Sequence, residues 1–243
     1  MQTTRWSLIL RARQRDAAGA EALGQLLAAY WQPVYVFFRR LGADADAAAD
    51  LTQGLYADLL QRGDLATASP ERGRFRAFLR TCARHWWANE RERAAAQKRG
   101  GGVPPVPIDR GDVETWIGEH AVDGDDAAAL FEQRWAQTVL DRAMWRLEQE
   151  ELAAGRRDQF ARLRMCLDGG PPPEPWAALA ARLATTEGAL RVAAHRLKER
   201  FRDCIASEVR ETLPDDCAPG EELQELLVAL QAKARGSSPR ESR

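Results

Sequence analysis

The sequence predicts an all-α protein of two helical domains joined by an acidic linker. Three observations predict it. Ala, Leu, Arg, Glu and Gln dominate while β-branched residues are sparse, and the former are helix formers. Apolar residues recur at three- and four-residue steps in one segment after another. Between residues 98 and 126 the composition turns abruptly to glycine and proline and then to acidic residues, a stretch that cannot continue a helix. The 243 residues amount to about one and a half domains at roughly 150 residues each. The 45% hydrophobic content is enough for a packed core. The expected division is residues 1–99, a linker over 100–126, a second domain over 127–210 and an extension over 211–243.

From Glu21 to Arg40, Leu23, Leu26, Leu27, Tyr30, Trp31, Val34 and Phe37 or Phe38 fall at helical steps, which predicts an amphipathic helix bent or interrupted at Pro33 and ended by Gly42. Ala43 to Gln61 repeats the pattern with Ala48, Leu51, Leu55 and Leu59, and its acidic start (Asp44, Asp46, Asp50) suits the positive end of a helix dipole. Gly63 to Gly73 reads as a loop turning at Ser69-Pro70, and a third helix runs from Phe75 to about Ala96. KRGGG and VPPVP then open the linker, which carries Asp109, Asp112, Glu114, Glu119, Asp123, Asp125 and Asp126 against the single Arg110 and reads as a solvated spacer. Leu130, Phe131, Trp135, Val139, Leu140, Ala143 and Leu147 begin the second block. Helices over Arg156 to Leu167, Trp176 to Leu183 and Glu187 to about Arg210 follow, with DGGPPPEP as a breaker. A short helix from Glu221 to Ala232 precedes a polar end, GSSPRESR, read as disordered. Two placements of that helix stay open: against the second block, or as a contact for a regulator.

Several classes are disfavoured. No apolar run approaches the roughly 18 residues of a membrane span, so no membrane partner is expected. The amino-terminal apolar stretch is broken by Arg11 and Arg13 and does not read as a secretory signal, which favours the cytoplasm. Cys82, Cys166, Cys204 and Cys217 are isolated, with no histidine at ligand spacing, so neither a zinc framework nor a disulfide scaffold is indicated. His85, His120 and His195 lie far apart, and no GxSxG, Walker loop, GxGxxG or HExxH occurs. No catalytic residue, cofactor or metal is therefore expected.

Two basic segments carry the functional signal. On a helix over residues 74–99, Phe75, Phe78, Leu79, Cys82 and Trp86 form one apolar stripe, while Arg76, Arg80, Arg84, Trp87 and Arg91 fall to the sides and far face. Cations neutralise phosphates, and an exposed ring offers stacking worth about 1–3 kcal/mol per base, which suits a single strand. Over residues 175–203, Trp176, Leu179, Ala180 and Leu183 face inward on a short helix. Ala184-Thr185-Thr186 makes a turn, and Leu190, Ala193, Ala194, Leu197 and Phe201 face inward on the next helix. Arg191, Val192, His195, Arg196, Lys198 and Arg202 occupy the opposite face. Two helices, a tight turn and a basic outer face make a helix-turn-helix. Arg191 and Arg196 can bind guanine edges, Val192 a thymine methyl, and Lys198 and Arg202 phosphates. The alternatives for the two segments are a solvated basic face with both tryptophans in the core, and an ordinary helical hairpin.

Together these segments resemble bacterial RNA polymerase sigma factors of the extracytoplasmic-function type. Sigma region two is matched by Arg5-Trp6-Ser7, Tyr30-Trp31-Gln32-Pro33-Val34-Tyr35, Arg39-Arg40-Leu41-Gly42, Asp50-Leu51-Thr52-Gln53, Arg72-Gly73-Arg74-Phe75-Arg76 and Lys98-Arg99-Gly100-Gly101-Gly102. Region four is matched by Arg134-Trp135-Ala136 and the helix-turn-helix ending His195-Arg196-Leu197-Lys198. The resemblance implies two partners, core RNA polymerase and promoter DNA. It assigns polymerase docking to Asp50, Leu51, Gln53 and Tyr56. It assigns capture of the unpaired downstream element to about Thr67 to Arg74 with Arg76, Arg80, Arg84, Trp87 and Asn89. It assigns reading of the duplex upstream element to Arg191, Val192, His195 and Arg196. An anti-sigma factor or other regulator is a further implied partner, and the acidic linker corresponds to the chain that family members thread toward the RNA exit channel. Gly54 stands where the family usually has Glu, Ala184 where Gly is common in the turn, and Asn89 where Asp is frequent. A stand-alone helix-turn-helix regulator and a protein-interaction module with the same fold are the rival readings.

Overall fold

The computed structural model describes residue 11 and residues 16–62, 74–96, 111–121, 126–167, 170–210 and 220–236. Among the described residues there is no strand, and the molecule is all-α. The helices are α1 (Ala17–Arg40), α2 (Ala45–Arg62), α3 (Phe75–Ala96), α4 (Gly111–His120), α5 (Ala127–Ala153), α6 (Arg157–Leu163, continued by a 3-10 turn Arg164–Cys166), α7 (Trp176–Arg182), α8 (Glu187–Arg210) and α9 (Gly220–Gly236). They gather into two units, one of Met1–Thr138 with Glu211–Arg243 and one of Val139–Arg210. The division falls inside α5, and α9 groups with the first unit.

Helix starts and stops follow local chemistry. The Asp16 carboxylate accepts the Gly19 N–H at 2.7 Å to cap α1, and Asp44 accepts the Ala47 N–H at 2.8 Å to cap α2. Gly42, at φ +102°, ends α1 with its own N–H on the Arg39 carbonyl and the Ala43 N–H on the Phe38 carbonyl. Gly155, at φ +72°, ends α5 in the same way. Both are left-handed positions that cost glycine nothing. Pro33 does not interrupt α1, whose 24 residues run through it. The missing N–H is compensated by packing, since Tyr30, Val34, Tyr35, Phe37 and Phe38 around it are all buried.

In the first unit Tyr30 meets Phe75 of α3 edge-on at 5.3 Å, and Phe37 meets Phe131 of α5 edge-on at 6.4 Å. Ala48, Leu55 and Leu59 supply the inner face of α2, and Leu79 and Ala83 that of α3. Gly54 has a packing reason. A Cβ there would lie 2.8 Å from Cζ2 of Trp86, so only glycine lets that indole rest on α2.

The acidic segment is not wholly a solvated spacer, because α4 lies within it and Val113 and Trp116 are buried. Glu114 accepts hydrogen bonds from Arg39 Nε at 2.7 Å, from Arg39 Nη2 at 2.9 Å and from the Tyr35 hydroxyl. That carboxylate raises the Arg39 pKa against the opposing effect of burial. The second unit has its own core, in which Ala143, Leu147, Phe160, Leu163, Leu179, Leu190, Ala194 and Leu197 are buried together. No described helix is long and apolar enough to cross a membrane.

Candidate nucleic-acid interface

In the second unit α7 and α8 are joined by a short turn over residues 183–186. Between α7 and α8 the Ala184 N–H bonds the Ala181 carbonyl at 3.3 Å and the Thr185 N–H bonds the Ala180 carbonyl at 3.0 Å. This is the Schellman pattern that Gly42 and Gly155 make elsewhere, here closed by an alanine at φ +49°. Thr186 then caps α8, its hydroxyl accepting the Ala189 N–H at 3.2 Å. Leu190, Ala194, Leu197 and Cys204 face inward, with Ala193 and Phe201 half-buried.

The opposite face of α8 is in solvent. Arg191, His195, Arg196 and Arg202 are exposed, Val192 is 50% exposed, and Lys198 is half-buried. Arg191 touches Glu187 at 3.2 Å and lies 5.8 Å from the Trp176 ring, and His195 lies 3.3 Å from Glu199. The Arg191–Glu187 pair joins neighbouring turns at the surface and is worth about 0.3–0.5 kcal/mol, so an anion or base edge can displace it. The carboxylates that bind firmly are turned elsewhere. Buried Glu208 holds Arg146 at 2.9 Å, and buried Glu151 holds Arg156 at 2.6 Å and also Arg200. A groove of about 570 Å³ runs beside this outer face of α8, lined by Arg156, Gln159, Gly188, Val192 and Arg196 among others.

The first unit departs from the expectation. Arg76 does not lie on a solvated flank. It is 4% exposed, its guanidinium stacks 4.1 Å from the Trp135 ring, and it pairs with Glu222 and Glu225 of α9 and with Glu132 of α5 at 2.7 Å. Arg74 Nε lies 2.6 Å from Glu222, and the same side chain also contacts Glu225 and Glu221. Arg80 pairs with Glu132 at 2.7 Å. Hydrogen bonding from Arg74 pulls the Glu225 pKa below the ordinary carboxylate value. Burial pulls the Arg76 pKa down, and the surrounding carboxylates oppose that. Trp87 is half-buried and leans on Phe38 at 6.3 Å, so it is not the open platform that the spacing implied. Trp86 is half-buried as well. Of the predicted positions, Arg84 and Asn89 are exposed. The loop positions from Thr67 to Gly73, with Arg5-Trp6-Ser7 and Lys98 to Gly102, lie outside the described residues.

On α2, Asp50 is exposed, and Leu51 and Gln53 are half-buried. Tyr56 is half-buried, but its hydroxyl is buried with no hydrogen-bond partner among the described residues, and that burial raises its pKa well above the ordinary value. Two of the cysteines, Cys166 and Cys204, are buried free thiols pushed up by desolvation. Among the described residues no group of three His, Cys, Asp or Glu side chains could hold a metal ion.

The residues that sequence reasoning missed are Glu132, Glu222 and Glu225. Glu222, Glu225, Leu226 and Ala229 share one helical face, and that is the signal available for them, but nothing in it names the partner helix. Comparison with family models, curated proteins and solved structures gives no match.

Proposed function

We propose that this chain is a dissociable sigma factor. On this reading it binds core RNA polymerase in the cytoplasm, recognises a two-part promoter and helps hold one strand open, and does no covalent chemistry itself. The observation that carries the reading is the outer face of α8, where Arg191, Val192, His195, Arg196 and Arg202 stand in solvent behind a capped helix-turn-helix. A helix of this kind reads base edges in a major groove with its first turns and holds phosphates with later ones. The ordered sigma-like motifs along the chain extend this from DNA binding to polymerase function, with Asp50, Leu51, Gln53 and Tyr56 as the docking helix.

Run-off transcription tests the reading. Purified core polymerase with this chain should initiate from its promoter, and Arg191→Ala with Arg196→Ala should abolish initiation while leaving the protein folded. Unchanged promoter use by that double variant rejects the base-reading assignment.

A stand-alone helix-turn-helix regulator is the second reading. It is favoured by the carboxylate pairing of Arg74, Arg76 and Arg80, which occupies the face a sigma factor needs for the melted strand. Such a regulator has no use for a polymerase-docking helix. Co-purification with core that is lost in Asp50→Ala/Gln53→Ala separates the two.

A further inference from the structure

The first unit joins a strand-binding pattern to an internal acidic ligand. Arg74, Arg76 and Arg80 share one side of α3, and carboxylates from two other helices meet them there. Glu132 is part of the bundle. Glu222 and Glu225 arrive on α9, whose apolar anchor is Leu226, 2% exposed. The outward side of α9 carries Leu227 and Val228, 55% and 61% exposed. Among the described residues, removing α9 leaves three guanidiniums against one carboxylate, Glu132. A half-desolvated cation left so under-compensated binds an anion strongly. A cavity of about 540 Å³ already opens along this seam, lined by Arg74, Arg76, Arg80 and Glu132 with Glu225 and Val228 of α9.

We propose that α9 is a displaceable acidic strap, its Glu222 and Glu225 occupying the places on Arg74 and Arg76 that phosphates of a single-stranded nucleic acid take when it opens. The strap makes the first unit a poor strand binder in the isolated protein and a competent one once α9 is released. This rests on reading the first unit as the strand-capturing half. Apparent affinity for a strand is then the intrinsic affinity reduced by the fraction of open molecules.

The test uses the full chain. Hydrogen–deuterium exchange should show residues 220–230 exchanging at least about tenfold faster than α1 and α3, because the strap opens without unfolding the bundle. Fluorescence anisotropy with a labelled mixed-sequence single-stranded DNA of about 20 nucleotides should show the isosteric E222Q/E225Q chain binding roughly tenfold more tightly than wild type. Adding Arg74→Ala and Arg80→Ala to that chain should remove the gain. Leu226→Asp pulls the apolar anchor while keeping every one of the paired arginine and glutamate side chains in the sequence, and it should give the same gain if the glutamine pair impairs folding. The strap is overturned if α9 exchanges only as fast as the bundle, if neither released chain binds the strand more tightly, or if the gain survives loss of the arginines. It is overturned as well if Leu226→Asp melts α1 to α3, for α9 is then part of the fold. None of these measurements involves polymerase, so failure of the sigma reading shows separately, as absence of transcription with core by wild type and released chains alike.

Discussion

The two units treat their arginines in opposite ways. In the second unit the buried carboxylates Glu151 and Glu208 hold Arg156, Arg200 and Arg146, and the outer face of α8 is left to solvent. In the first unit the carboxylates come to the outer arginines themselves, and Arg76 ends up 4% exposed between an indole and three glutamates. Spacing on a helix fixes which residues share a face. It does not fix what covers that face. The outer arginine of α8 meets only a carboxylate of its own helix, Glu187, at the surface, whereas Arg74 and Arg76 of the first unit are paired with carboxylates of other helices, Arg76 in a buried setting.

The sharpest way to break this comparison lies inside the second unit. Arg156→Ala with Arg200→Ala strips the partners from buried Glu151 and should destabilise the unit by about 3 kcal/mol, near the lower bound for an orphaned buried charge because both guanidiniums keep some water contact. Arg191→Ala with Arg196→Ala removes the same number of charges from the exposed face of α8 and should change stability by less than about 0.5 kcal/mol. Urea unfolding followed by circular dichroism checks both, and equal costs would erase the distinction between inner and outer arginines.

A smaller effect is expected in the first unit at Gly54. Alanine there drives a Cβ into the Trp86 indole, which must move off α2, at a cost of about 1–3 kcal/mol. An unchanged unfolding midpoint would show that Trp86 is not packed as described. The turn of the second unit sets two finer tests. Thr186→Ala loses the α8 cap and should cost about 1 kcal/mol. Ala184→Gly relieves the left-handed alanine at φ +49° and should raise stability by about 0.5–1 kcal/mol after the entropy cost of glycine in the unfolded chain. A lower melting temperature in Ala184→Gly would contradict the strain assigned to that turn.

Much of the fold was legible in the residues because its signals are local. The spacing places helices over Phe75 to about Ala96 and Glu187 to about Arg210, and α3 and α8 have those bounds. The acidic start of α2 at Asp44 and the Thr186 cap of α8 are readable for the same reason, since such effects act within the first turn. Pro33 misleads because the loss of one backbone hydrogen bond is outweighed by the aromatic packing around it, which only the tertiary structure shows. The α4 helix is masked by neighbouring Gly and Pro, although Val113, Trp116 and Ile117 keep helical spacing. The exposed face of α8 was legible because the pairs described on it, Arg191 with Glu187 and His195 with Glu199, are local to the helix. The fate of Arg74 and Arg76 was not, because their shared partner Glu225 lies about 150 positions away. A contact of that range leaves no mark in local periodicity.

The most direct measurement of the central claim is sequencing of the 5′ ends of transcripts made on fragmented genomic DNA by purified core polymerase with and without this protein. The account predicts a set of new start sites that depend on the protein, share an upstream element, and vanish in Arg191→Ala/Arg196→Ala. Start sites identical with and without the protein would contradict it.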